Sequence, residues 1–96
     1  MDLMDLQELR AQINKIDGEL IDLFRRRMDI SAEIARYKKN NNMPVYDSAR
    51  EREILEKSAQ RVSKERESSV IALYSLIFEL SRAEQEKILS QSAEVV

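Results

Sequence analysis

The chain has 96 residues, 43% apolar and 35% charged, with one glycine, one proline, no cysteine and no histidine, which is room for one small domain. So little turn chemistry excludes hairpins, sandwiches, barrels and glycine-rich phosphate loops, leaving an all-α fold; the missing cysteine and histidine exclude disulfides, zinc fingers, thiol nucleophiles and Ser-His triads. Sixteen basic against 18 acidic side chains give a net charge of -2, without the positive excess of a nucleic-acid binder, so catalysis, if any, must come from Arg, Lys, carboxylate, amide or hydroxyl groups.

From Leu6 apolar residues recur at Leu9, Ile13, Ile16, Leu20, Leu23, Ile30 and Ile34, at the spacings of one helical stripe. Gly18 lies off that stripe, beside Asp17 and Glu19, so the spacing predicts one continuous helix from about residue 5 to 39. Asn40-Asn41-Asn42-Met43-Pro44 ends it, because Asn favours turns and Pro disfavours helix in the residue before it. A second helix is predicted from Asp47 or Ser48, where Ser48 and Glu51 fit a capping box, through Ile54, Leu55 and Val62. Ser63 to Ser69 has no apolar periodicity and reads as a link. A third helix follows, burying Val70, Leu73, Tyr74, Ile77, Leu80 and Ile88, and the tail from Ser90 to Val96 reads as loose. The whole chain, residues 1–96, is expected to form a single helical domain with an ordered core of about residues 5 to 90.

No apolar run approaches the roughly 18 residues of a membrane span. The start, Met-Asp-Leu-Met-Asp, has no signal-peptide pattern, so the expected compartment is the cytoplasm, with no membrane partner. At about 1.5 Å per residue the three helices measure roughly 50, 20 and 30 Å. The first outruns what its own chain has to cover it, which points to a homodimer packed through the long helices.

Polar residues interrupt the apolar faces. Arg27 and Lys38 lie on the face of Leu20, Leu23, Ile30 and Ile34; eleven residues at about 100° each bring them within roughly 20° of one another, about 16 Å apart. They converge on one small anion, or each snorkels to solvent. Ser81 and Gln85 sit between Ile77 and Ile88 on one stripe of the third helix, either reaching the same cavity or serving as a back-bonded hydroxyl and a rim amide. Asp47, Arg50 and Glu51 open the second helix, where capping is the alternative role for Asp47 and Glu51. Arg10 is turned roughly 100° from Arg27 around the helix; it serves a neighbour's site or pairs on the surface with Glu8 or Asn14. The run Arg25-Arg26-Arg27 taken alone reads as a solvated face.

In order, Leu9-Arg10, Ile16-Asp17, Arg27, Lys38, Pro44-Val45, Asp47, Arg50-Glu51-Arg52, Ser81 and Gln85 resemble the all-helical chorismate mutase family over about residues 5 to 88. The resemblance implies an intertwined homodimer of three-helix chains, each site taking one Arg from the partner, and the conversion of chorismate to prephenate on the way to Phe and Tyr. It implies that Arg27 and the partner's Arg10 clamp the two carboxylates of this dianionic substrate, and that Lys38 binds a carboxylate and the ether oxygen. Gln85 would donate to that oxygen, Glu51 and the backbone of Asp47 would hold the ring hydroxyl, Ser81 would contact a carboxylate, and Arg50 would support the margin. Such a pericyclic shift requires no metal, cofactor, nucleophile or proton transfer. It requires a compact conformer and fixed donors at the ether oxygen. An isochorismate pyruvate lyase of the same fold, disfavoured by the carboxylate of Glu51, and a non-catalytic helical dimer binding a partner helix are the rival readings.

Overall fold

A computed structural model describes residues 5–91 of the chain. The described residues form three α-helices, α1 (Leu6–Asn40), α2 (Ser48–Ala59) and α3 (Glu67–Ser90), with a 3-10 turn at Lys64–Arg66 and no strand. Of the tail expected to be loose from Ser90 to Val96, Ser90 is the last residue of α3; residues 92–96 and the first four of the chain lie outside the described residues. By internal contacts the chain divides into two units, between Ile30 and Ser31.

The first unit is helical from Leu6 onward. Asp5 caps it: its Oδ1 accepts from the Glu8 amide at 2.9 Å and its carbonyl from the Leu9 amide at 3.2 Å, meeting donors that have no partner within the helix. The helix runs unbroken through Gly18, where an added Cβ would meet no atom within 4 Å. The predicted apolar stripe is present and uncovered. Leu6, Leu9, Ile13, Ile16, Leu20, Leu23 and Ile30 are each between 46% and 60% exposed.

In the second unit α1 continues from Ser31 to Asn40, α2 packs against α3, and the 3-10 turn leads into α3. Asn42 ends α1 at φ 54°, the left-handed conformation that Asn tolerates. Around it the Met43 amide donates to the Lys38 carbonyl at 2.8 Å and the Asn42 amide to that of Lys39 at 3.4 Å, the paired bonds of a Schellman motif. This turn carries the chain round to Val45, which is buried.

Two boundaries, one cap and part of the buried face of α3 differ from the sequence expectation, Leu73 and Leu80 being exposed and Phe78 buried instead. The α2 cap is Asp47, whose Oδ1 accepts from the Arg50 amide at 3.0 Å; Ser48 is the first helical residue and Glu51 does not fold back into a capping box. α2 stops at Ala59, short of Val62, because Arg61 and Val62 bond back three residues, to Ser58 and Ala59, tightening the chain out of the α geometry. α3 starts at Glu67, so most of the predicted link is helical, opened by an Arg66 amide bond to the Ser63 carbonyl at 2.9 Å.

The buried side chains of this unit are few and half of them polar: Ala35, Val45 and Phe78 with Ser31, Ser81 and Gln85. Tyr74 packs against Phe78 with ring centroids 5.9 Å apart. No described helix is long and apolar enough to cross a membrane.

Candidate active site

Phe78, Ser81 and Gln85 are buried on one face of α3, at steps of three and four residues. A buried amide needs partners, and Gln85 finds one on α1, its Nε2 donating to Ser31 Oγ at 2.7 Å. Its other end, Oε1, is buried with no hydrogen-bond partner among the described residues. An orphaned polar atom in so small a core marks a place where a further group is to be met.

Two turns along α1 from Ser31, the partly buried Lys38 donates from Nζ to the Val45 carbonyl at 2.7 Å. The ammonium has three donors, and Val45 takes one while aiming the head. Lys38 therefore does not snorkel freely to solvent. On α2, Glu51 pairs with Arg82 of α3, the side chains 22% and 34% exposed. Arg82 also stands 5.4 Å from the centre of the Tyr46 ring. The hydrogen bond that Arg82 donates to Glu51 holds its guanidinium above the ordinary pKa; burial opposes this, and the charges of Glu51, Tyr46 and Glu79 add to it.

Three contacts, joined by stretches of α1 and α3 and by the Val45–Tyr46 peptide, form a circuit within the second unit. Ser31 leads along α1 to Lys38, Lys38 to Val45, Tyr46 to Arg82, Arg82 along α3 to Gln85, and Gln85 back to Ser31. Around it stand an ammonium, an amide, two buried hydroxyls and a carboxylate, donors and acceptors suited to holding a small polar molecule, with no nucleophile–base pair.

The other expected site residues stand apart from that circuit or outside its unit. Asp47 spends its carboxylate on the cap, and Arg50 is exposed with its Nη1 on Glu53 Oε1 at 2.5 Å. Arg27, partly buried, and Arg10, exposed, belong to the first unit. Among the described residues Arg10 makes no ion pair, so the surface pairing with Glu8 does not form. Arg25 does pair on the surface, with Asp22 at 3.4 Å. Sequence reasoning missed Ser31, Tyr46 and Arg82. Ser31 carried a signal, since it follows Arg27 by four residues and precedes Lys38 by seven on one helical face; Arg82 showed only its place beside Ser81.

The sequence pattern that defines chorismate mutase type II matches residues 9–86. The chain belongs to the type II chorismate mutase family. It is thus an isomerase, and the resemblance seen in the ordered residues holds over most of its length. Among its relatives is a 4-amino-4-deoxychorismate mutase of Streptomyces venezuelae, 35% identical over 83 residues, covering 83% of this chain and 81% of that protein. A bifunctional chorismate mutase/prephenate dehydratase of Buchnera aphidicola is 34% identical over 89 residues, and a T-protein of Haemophilus influenzae 36% over 61. The chain matches only 23% and 16% of the lengths of these two. No solved structure gives a significant match.

Proposed function

We propose that this chain, as a single domain, rearranges chorismate to prephenate in the cytoplasmic route to Phe and Tyr, working as a homodimer with shared sites. The observation that supports the reading is the buried cluster of Ser31, Ser81 and Gln85 with the partly buried Lys38: Gln85 Nε2 spends one of its two hydrogens on Ser31 Oγ and has a second to donate, as Lys38 has beyond its bond to Val45. In the reaction the ether C–O bond breaks as a C–C bond forms within one molecule, and negative charge grows on the ether oxygen. Lys38 and the amide of Gln85 meet that oxygen as fixed donors. Arg27 and the partner's Arg10 hold the two carboxylates, Ser81 contacts one of them, and Arg50 supports the margin, so the flexible substrate is kept in its compact reactive form. Glu51 and the Asp47 backbone receive the ring hydroxyl.

The uncovered Leu and Ile stripe of α1 supports the dimer, since apolar faces of this extent mark interfaces. A second reading, rearrangement of 4-amino-4-deoxychorismate, is favoured by the Streptomyces relative. The deciding experiment incubates the purified chain, without additives, with chorismate, 4-amino-4-deoxychorismate and isochorismate separately. Prephenate from chorismate is expected. Turnover of the amino compound alone favours the second reading, salicylate plus pyruvate from isochorismate marks a lyase, and no turnover of any points to a non-catalytic dimer.

A further inference from the structure

The Glu51–Arg82 pair joins the first turn of α2 to α3 and is partly buried, and Arg82 lies over the Tyr46 ring. The mutase reading, on which this inference rests, gives Glu51 a role at the ring hydroxyl and leaves Arg82 without one. We propose that Arg82 is a positioning residue that sets substrate specificity: by pairing with Glu51 it fixes the carboxylate and balances its charge, so that the site accepts a neutral hydroxyl at that ring position and disfavours an ammonium.

The argument is electrostatic. A carboxylate has about four lone-pair positions, and Arg82 Nη1 occupies one, so capacity remains to accept from a hydroxyl. A hydroxyl needs only that hydrogen bond. An amine in the same place is protonated near neutral pH, as alkylamines are, and brings a full positive charge. Beside an unpaired Glu51 that charge would be welcome; beside the pair it meets the guanidinium as well as the carboxylate, and repulsion offsets attraction. The Tyr46 ring, itself exposed, adds a cation–π contact to the ion pair that holds Arg82 beside Glu51. The charge of Glu79 also favours its ionised form, so it stays cationic across any working pH.

The test measures kcat/KM for chorismate and for 4-amino-4-deoxychorismate with the full wild-type chain and with Arg82→Met, Arg82→Gln and Arg82→Lys. The ratio of two kcat/KM values from one preparation is independent of the fraction folded, so a merely structural role would not move it. Wild type is expected to prefer chorismate. Arg82→Met should shift the ratio towards the amine by roughly tenfold or more, the scale on which one adjacent charge alters an ionised group, and Arg82→Lys should restore the wild-type preference. Arg82→Gln, neutral and polar, serves if the Met variant does not fold, with the same shift expected. A wild type that takes both substrates equally, or neutral variants with an unchanged ratio, overturns the role of Arg82 and leaves the mutase reading standing. A wild type that does not rearrange chorismate overturns both.

Discussion

Gln85 and Ser31, 54 positions apart in the chain, meet in the core with Gln85 Nε2 donating to Ser31 Oγ at 2.7 Å. This bond ties α3 to α1 and holds the amide while its other end stays unpartnered. Ser31→Ala should therefore leave Gln85 without its partner, at a cost of about 1–3 kcal/mol. Thermal unfolding should show a melting point lower by several degrees, and an unchanged midpoint would mean that the bond contributes nothing.

A second prediction concerns pH. The Gln85 amide donates without titrating, so activity should be nearly flat across neutral pH. Gln85→Glu places an acceptor-only carboxylate against the growing negative charge, and only its protonated form can donate. The variant should be poor at neutral pH and recover on acidification through the pKa of residue 85. The same profile as wild type, wherever both stay folded, would remove Gln85 from the ether oxygen.

Lys38 should show a larger effect on rate than on folding. A donor that meets charge in the transition state is typically worth about 3–4 kcal/mol, a hundredfold to a thousandfold in turnover. Lys38→Ala also strips the Val45 carbonyl of its partner, a stability loss of about 1–3 kcal/mol. Turnover per folded chain, with folding followed by circular dichroism, separates the two. Near-normal turnover would reduce Lys38 to a structural tether of the Val45 turn.

The exposed stripe from Leu6 to Ile30 predicts a dimer at low micromolar concentration in sedimentation, and a folded monomer there would refute the shared site. Mixing Arg10→Ala chains with Arg27→Ala chains should restore activity, since each heterodimer has one site with both arginines intact. Absence of recovery after demonstrated subunit exchange would place Arg10 outside the site.

Glu53 supplies an acid-side prediction independent of catalysis. Its carboxyl is held below the usual glutamate range chiefly by the hydrogen bond from Arg50, then by the charge of Lys57. A depressed folded-state pKa gives stability that is present above the unfolded value, about 4.3, and is lost as pH falls through the lower folded one. The pair is exposed, so the effect on stability is small. An NMR titration should find Glu53 low in wild type and closer to ordinary in Arg50→Ala; equal values would show that the Arg50–Glu53 contact does not persist in solution.

By itself the sequence determined what depends on near neighbours. The apolar repeat from Leu6 to Ile34 sets a helix, because residues three and four apart share a face whatever surrounds them, and the Asn40 to Pro44 run ends it through a left-handed Asn42. The ordered set from Arg10 to Gln85 likewise identified the family before any coordinate did. Only tertiary structure decided which polar groups meet. In the sequence Glu51 reads as a capping-box residue or as a site residue; in the structure Asp47 takes the cap and Glu51 pairs with Arg82, 31 positions away, a partner that no local pattern shows. Ser31 and Tyr46 gained their roles in the same way. A hydrogen bond between chain-distant residues follows from how helices pack, and a periodicity of 3.6 records which face is buried but not which side chain on the neighbouring helix will lie opposite.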